Sequence, residues 1–349
     1  MTNIDKTNHT VSSRATVREA LERINSLNGV PLTLFATDES GRVEGSVTDG
    51  DVRRALLGGI PLSAPVGEAM RREFLSISDG CEPMEIIASA RKRGVRLLPR
   101  LDSDGRLREI VDLSRTKSIL PLDAVLMAGG KGERLRPLTL TTPKPLLEIG
   151  GKAIIDYNVD ELETNGIERI FVTVNYLKEQ IKEHFSAPRR ASVVCVEEPR
   201  RLGTMGSLSL VEGITSPDLL VMNSDILTNL SFEAMLNHHK AVGADLTMAT
   251  VGYNVAIPFA ILEIDGDRVV GLREKPSFNY SANAGVYIMK REMLSRIAHG
   301  EYLDAPDFVE RLIADGMKVA HFPISGTWID IGSPADFKYA DELMSRPGK

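Results

Sequence analysis

The segment Leu126-Met-Ala-Gly-Gly-Lys-Gly-Glu-Arg-Leu-Arg-Pro-Leu-Thr139, with Thr142-Pro-Lys-Pro-Leu-Leu147 close behind it, decides how this chain is read. The apolar run Ala124–Ala128 has the length of a buried strand and delivers the backbone into Gly129, Gly130 and Gly132. Missing side chains there let backbone N–H groups come close to phosphate oxygens. Arg134 and Lys144 add positive charge beside the loop. The spacing is not G-x-G-x-x-G, because Gly130-Lys-Gly132 continues as Glu-Arg-Leu135, and no Lys-Ser/Thr pair follows as in a P-loop. The loop therefore speaks for a phosphate ligand and against dinucleotide oxidoreductases and P-loop kinases.

Working outward, short apolar runs alternate with amphipathic segments from Pro121 onward. Ala124–Ala128 precedes Ile154–Asn165, Ile170–Asn175 precedes Leu177–Phe185, Ser192–Val196 precedes Ser207–Gly213, and Leu219–Met222 precedes Phe232–Ala241. This alternation predicts βαβ units and a parallel sheet. In the first crossover Ile155, Val159 and Leu162 share one helical face, away from Asp156, Asp160, Glu161 and Glu163. Asn223-Ser-Asp225 follows the last of these strands, at the carboxyl edge where open α/β sheets bind ligands. An isolated aspartate there would serve equally as a cap for the next turn.

Toward the N-terminus the chain repeats itself. Asp38-Glu-Ser-Gly-Arg-Val-Glu-Gly-Ser-Val47 aligns with Asp102-Ser-Asp-Gly-Arg-Leu-Arg-Glu-Ile-Val111, so that Gly41 answers Gly105 and Arg42 answers Arg106. A helical pattern precedes each copy: Val17, Ala20, Leu21 and Ile24 before Gly29, then Met84, Ile86, Ile87 and Ala90 before Gly94. Each unit reads as helix, strand, turn, strand, and two such units can bury their apolar faces on one another.

The chain has 349 residues, 42 Lys+Arg and 48 Asp+Glu, for a net charge of −6. That length predicts two domains, with the change of pattern near residue 120. The acidic total offers no basic patch for a phosphate backbone, so no nucleic-acid partner is expected. Cys81 and Cys195 belong to no CxxC or Cys/His cluster, so neither a disulfide framework nor a zinc site is expected. His238 and His239 point about 100° apart on a helix and read as surface residues rather than as a metal pair. The polar first twenty residues lack an apolar h-region and no run reaches a membrane span, which predicts a cytoplasmic protein with no membrane partner.

The glycine loop and Pro-Lys-Pro together resemble the signature of sugar-1-phosphate nucleotidyltransferases, the pyrophosphorylase family that includes mannose-1-phosphate guanylyltransferases. Seven further motifs follow in family order: Val174-Asn-Tyr176, Glu197-Glu198, Leu202-Gly-Thr204 with Gly206, Asn223-Ser-Asp225, Glu274-Lys-Pro276, Asn283-Ala-Gly285 and Trp328-Ile-Asp-Ile-Gly-Ser-Pro334. The resemblance covers residues 122–340. It implies a Rossmann-like, GT-A-like α/β catalytic domain over 121–349 with a mostly parallel mixed sheet. Gly45-Ser-Val-Thr-Asp-Gly-Asp-Val-Arg-Arg54 resembles the signature of CBS domains, which implies an α+β tandem CBS pair over 1–120. In that family Thr48 and Asp51 would bind an adenine nucleotide, the pair would dimerise the chain, and AMP or ATP would regulate it. Read physically, Thr48 and Asp49 are favoured caps for a helix over Asp51–Leu57. The second copy ends Val111-Asp-Leu-Ser-Arg115 and lacks the T-D-x-D pattern.

The resemblance also implies roles. Met127, Ala128, Gly129, Gly130 and Gly132 would cradle the nucleoside triphosphate, with Arg134 on its β- and γ-phosphates and Lys144 near the α-phosphate. Glu198, Leu202, Gly203 and Thr204 would border base and ribose. Asn175, Glu274, Asn283 and Gly285 would lie against the sugar, Lys275 would neutralise its phosphate, and Asp225 with Asp330 would hold Mg²⁺. Carboxylate oxygens suit that ion, provided the fold brings the two aspartates together. Trp328 reads as either core or a wall of the sugar site.

The expected reaction is attack of a sugar-1-phosphate oxygen on the α-phosphorus of an NTP, releasing pyrophosphate. The nucleophile is already an anion, so charge neutralisation and in-line positioning replace a general base. GTP and a hexose or amino-hexose 1-phosphate are the expected substrates, for surface-glycan precursors. Arg200-Arg201 and Met205 depart from the common pattern beside the base, which leaves CTP, UTP and dTTP open, including cytidylyl transfer to phosphocholine. A non-catalytic nucleotide sensor is a further alternative. No hexapeptide repeat follows the transferase motifs, so a bifunctional acetyltransferase-uridylyltransferase is not expected.

Overall fold

The computed structural model of the protein describes residues 4–27, 31–78 and 81–346, and Gly29, expected to end the first helix, lies outside them. The chain forms two compact units, one of residues 1–120 with 164–166 and one of residues 121–163 with 167–349.

In the first unit the repeat is visible in the backbone. Helix Val17–Ser26 leads to strands Thr33–Thr37 and Val43–Thr48, and helix Pro83–Lys92 leads to strands Leu97–Leu101 and Leu107–Asp112. Both turns are built alike. Asp38 Oδ1 accepts from Arg42 N at 3.0 Å and Asp102 Oδ1 from Arg106 N at 2.8 Å, while Gly41 and Gly105 take φ of 83° and 77°, which an L side chain rarely adopts. The copies meet at these turns: Val43 N donates to Gly105 O at 3.0 Å, and Arg106 Nε donates to Ser40 O at 2.9 Å. Phe35 and Val43 of one copy bury with Leu97, Leu101, Leu107 and Ile110 of the other.

The first copy continues into helix Asp49–Leu57, two residues longer at its start than the sequence suggests, because Thr48 closes a capping box with Asp51. The Thr48 N–H donates to Asp51 Oδ2 at 3.0 Å, and the Asp51 N–H donates to Thr48 Oγ1 at 3.2 Å. Asp51 is buried and also receives Arg54 and Arg71, at 2.5 and 2.7 Å. Burial pushes its carboxyl up, but the hydrogen bonds from Thr48, Arg54 and Arg71 outweigh burial and hold it below the usual range.

The second unit is built on a seven-stranded sheet. Its order is Ser192–Glu197, Arg169–Val174, Leu122–Met127, Asp218–Asn223, Ser277–Lys290, Leu246–Ala256, Val319–Pro323. Ser277–Lys290 alone runs against its neighbours, and the other pairs are parallel. Leu122–Met127 is buried throughout, as a central parallel strand must be. Helix Ile154–Thr164 presents Ile155, Val159 and Leu162 to the core, as the spacing predicts. Val125, Phe171, Leu219, Val221, Tyr287 and Phe308 lie in one buried core cluster.

Two sequence expectations fail here. Ser207–Gly213 forms no crossover helix: a turn at Gly203–Gly206 passes into a 3₁₀ turn at Ser207–Leu210. The backbone there packs directly on residues 301–303, where the Met205 and Gly206 N–H groups both donate to Leu303 O at 2.9 Å. His239 is not a surface histidine. It lies 2 % exposed beneath helix Phe232–Val242, its Nδ1 2.8 Å from Thr247 Oγ1. Cys81 and Cys195 are free thiols. No helix among the described residues is long and apolar enough to cross a membrane.

Candidate active site

The carboxyl ends of four parallel strands open into a cleft of about 180 Å³. Met127, Gly129 and Gly130 line it from the first strand, Thr173 from the second, Glu198 from the loop after the third, and Asn223 and Asp225 from the fourth. Gly203, Thr204 and Ser207 close one side. Ala128 sits just behind, buried, and its N–H donates to Thr173 O at 2.9 Å.

The glycine loop is positioned by its neighbours. A Cβ on Gly129 would overlap Glu198 Oε1, so only glycine lets the loop lie against that carboxylate. Asn175 stands behind both, donating from Nδ2 to Glu198 O at 3.0 Å. Glu198 is buried, and its Oε2 accepts the Leu202 N–H at 3.1 Å. Burial pushes its carboxyl up, against the pull of that N–H and of Arg201. Leu202 itself is a core side chain, so its share in the site is made by its backbone. Gly132 carries the loop onward, with its carbonyl accepting from Thr139 Oγ1 at 2.8 Å and its Cα packed toward Lys144 Cβ.

Lys144 is buried and donates from Nζ to Asp225 Oδ2. The fold then brings up the second aspartate. Ile226–Thr228 pairs antiparallel with Trp328–Asp330, placing Ile226 opposite Asp330, and the Ile331 N–H donates to Asp225 O at 3.1 Å. Burial and the Asp225 charge push the Asp330 carboxyl up, while Lys144 and Arg134 pull the other way. Arg134 is exposed and packs on the backbone at Gly332, where a Cβ would stand 2.9 Å from Nη2.

Asp225 Oδ1 is buried with no hydrogen-bond partner. An orphaned carboxylate oxygen beside a second carboxylate of raised pKa fits a hard divalent cation. No group of three or more His, Cys, Asp and Glu capable of holding a metal occurs among the described residues. Substrate phosphates would complete the shell, which is how Mg²⁺ is commonly held in nucleotide sites.

The remaining expected residues lie on the antiparallel strand and its approach. Gly285 abuts Asn223, since a Cβ there would meet Asn223 Nδ2 at 2.6 Å. Asn283 donates from Nδ2 to Tyr287 Oη at 2.6 Å and accepts the Gly285 N–H at 3.0 Å. Trp328 ties this segment to the aspartates, with Nε1 donating to Ala284 O at 2.9 Å. Glu274 and Lys275 are exposed on the ribbon leading into the strand, and Lys275 takes a φ of 41°. Neither residue is among those lining the cleft.

Arg201, which departs from the family pattern beside the base, lines the cleft, and so do Thr173, Ser207 and Asp304, none of which was singled out in the sequence. Asp304 and Thr204 cap one another's segments. Asp304 Oδ1 accepts the Thr204 N–H at 3.1 Å, and Thr204 Oγ1 accepts the Ala305 N–H at 2.8 Å at the start of helix Ala305–Ala314. Asp304-Ala-Pro306 carries a helix-start signature that was readable. Nothing local announced its place at the cleft.

A glycine loop, a buried lysine and two aspartates at the carboxyl edge of a mostly parallel sheet define a class of phosphate-handling α/β proteins. The nucleotidyl transferase model matches residues 123–345, and the CBS domain model matches residues 4–58. The chain belongs to the nucleotidyl transferase family. It is 31% identical to mannose-1-phosphate guanylyltransferase of Mycobacterium tuberculosis, over 62% of this chain and 62% of that one. It is 30% identical to mannose-1-phosphate guanylyltransferase catalytic subunit beta of Danio rerio, again over 62% of each. The chain thus spans about three fifths of the length of these curated relatives. Among solved structures, HddC from Yersinia pseudotuberculosis is 26% identical with a TM-score of 0.51, covering 64% of this chain and 99% of that one.

Proposed function

We propose that the chain transfers a nucleotidyl group from a nucleoside triphosphate to a sugar 1-phosphate in the cytoplasm, with GTP as donor and a hexose 1-phosphate as acceptor. The observation that carries this reading is the convergence, at the glycine-loop cleft, of Lys144 with Asp225, whose second oxygen is orphaned. The similarity to mannose-1-phosphate guanylyltransferases supports GTP and a hexose 1-phosphate.

In this reading the backbone at Gly129–Gly132 holds the triphosphate and Arg134 meets its outer phosphates. Lys144 stands beside the reacting α-phosphate. Glu198, Gly203 and Thr204 border base and ribose. Asn283 and Gly285 face the sugar, with Glu274 and Lys275 supplied by the ribbon. Asp225 and Asp330 would hold Mg²⁺, which supplies positive charge between the two polyanions. The sugar phosphate needs no base to deprotonate it, so the side chains orient the reactants and neutralise their charge. Residues 1–120 act as a tandem CBS pair that dimerises the chain and takes an adenine nucleotide at Thr48 and Asp51.

A panel of GTP, CTP, UTP and dTTP against several sugar 1-phosphates and phosphocholine, read by pyrophosphate release, tests the transfer. Turnover with GTP and a hexose 1-phosphate is expected; failure with GTP alongside turnover of CTP with phosphocholine overturns the substrate reading. Calorimetry of the full chain with AMP and ATP tests the effector site, and absence of heat with both removes it.

A further inference from the structure

Arg201 stands at the cleft without a partner. It lines the opening with Glu198, Gly203 and Thr204, its side chain is exposed, and among the described residues its guanidinium makes no hydrogen bond and no ion pair. The neighbouring cations are committed. Arg200 donates from Nη2 to Gly300 O at 3.1 Å, Lys144 donates to Asp225, and Arg134 packs on Gly332. The carboxylates nearest in the lining already have partners as well. Glu198 Oε2 accepts the Leu202 N–H, Asp304 Oδ1 accepts the Thr204 N–H, and Asp304 Oδ2 accepts the Tyr302 O–H at 2.8 Å. Arg201 acts on Glu198 only through space, drawing its carboxyl down against burial.

The sheet fixes which part of a bound nucleotide this arginine meets. Glu198 follows strand Ser192–Glu197 and Asp225 follows strand Asp218–Asn223, with two strands between them, so the two ends of the cleft lie three strand spacings apart, about 14 Å at about 4.8 Å each. A triphosphate that crosses the glycine loop with its α-phosphate at Lys144 and Asp225 turns its far end, the base, toward Glu198 and Arg201. Arg134 stands at the other end, near enough to Asp330 to pull its carboxyl down. We propose that Arg201 is the residue that selects guanine, donating from its guanidinium fork to the O6 and N7 acceptors of the base.

This inference rests on the reading of the chain as a nucleotidyl transferase that uses GTP, and it assigns the choice of base to one side chain. Guanine sets two acceptors side by side, O6 and N7. Cytosine presents its N4 amino group, adenine sets its N6 amino group beside N7, and the O4 of uracil or thymine is a single acceptor. A planar fork of donors fits the first pattern and meets donor with donor in cytosine and adenine, so the same group attracts one base and rejects others. Two acceptors in one plane call for a guanidinium, since an ammonium is a point charge without that geometry.

The test uses the full chain, as wild type, Arg201→Ala and Arg201→Lys, with GTP, 7-deaza-GTP or CTP as donor and a hexose 1-phosphate as acceptor, read by pyrophosphate release. The deaza nucleotide keeps O6 and replaces N7 by C–H. The wild type should show a kcat/KM about tenfold lower with it than with GTP, the effect of losing one hydrogen bond to a charged donor. In both variants that ratio should fall to about one, Lys included, because Lys keeps the charge and loses the fork. An exposed side chain with no partner can be replaced without unfolding the chain, and melting curves of the variants should overlay that of the wild type. Wild-type turnover of CTP without GTP, or of neither, overturns the GTP reading on which the proposal rests. A wild type that prefers GTP to CTP but uses the deaza nucleotide equally well, or a tenfold ratio that persists in R201A, leaves that reading standing and overturns the role of Arg201. A full ratio in R201K overturns the fork.

Discussion

Asp225 and Asp330, far apart in the chain, lie side by side because Ile226 pairs with Asp330 across a three-residue antiparallel ladder. Their adjacency is registered by backbone, with the Ile331 N–H held on Asp225 O at 3.1 Å. Burial and the Asp225 charge push the Asp330 carboxyl up, and the Lys144 ammonium covers only one oxygen of Asp225. A divalent cation is the natural complement.

Replacing Asp225 by Asn keeps the side chain's shape and removes its charge. Pyrophosphate release should fall by ~10²–10³, the range for loss of one preorganised electrostatic contact. A wild-type rate in D225N would remove Asp225 from the metal site, and an unchanged rate in EDTA would remove the metal itself.

Gly332→Ala separates site from fold. The new methyl meets the far end of Arg134, which can swing aside, so the melting temperature should stay within about 1 °C. Displacing the guanidinium should instead raise the KM for the triphosphate about tenfold, the effect of ~1.4 kcal/mol. A drop in melting temperature with unchanged KM would show Gly332 to be purely structural.

Thr204→Val deletes the hydroxyl that accepts the Ala305 N–H. A lost N-cap costs about 1 kcal/mol. For a unit of this size that lowers the melting temperature by roughly 2–4 °C. Thr204→Ser, which retains the oxygen, should recover most of it, and equal loss in both variants would deny the cap.

Glu198→Gln has a pH signature. Burial raises the Glu198 carboxyl above its ordinary 4.5, so ionising it costs the folded state more than the unfolded one. Wild-type stability from this group is therefore lost as pH rises from 4.5 through the raised folded value. The Gln variant still accepts the Leu202 N–H and carries no such cost. It should melt higher than wild type at neutral pH and converge with it below pH 4.5. A gap that does not change with pH would place its cause elsewhere.

What was legible in the sequence was local. The strand read at Ala124–Ala128, the glycines behind it and the repeat around Gly41 and Gly105 each follow from a few adjacent residues; the structure has all three, the strand running from Leu122 to Met127. The mostly parallel sheet followed from alternation alone, and the reversed strand Ser277–Lys290 answers to the mixed sheet that the family resemblance implied. Thr173, Ser207 and Asp304 escaped because their meeting at the cleft depends on packing between distant segments. His239 escaped for a related reason: helical spacing gives its direction, but only strand Leu246–Ala256 beneath it makes that direction inward. Residues 207–213 look amphipathic, yet the tight seat of Gly206 on Glu301 O leaves no room for a regular helix.

The register between Ile226 and Asp330 also sets the moment during synthesis at which the cleft is completed. The glycine loop, Lys144 and Asp225 leave the ribosome before the second aspartate and the glycine that seats Arg134. Until Trp328–Asp330 emerges, Ile226–Thr228 lacks the strand it pairs with, and a nascent chain holds one aspartate of the pair. Translation itself thus keeps the two aspartates apart until residue 330 has been made.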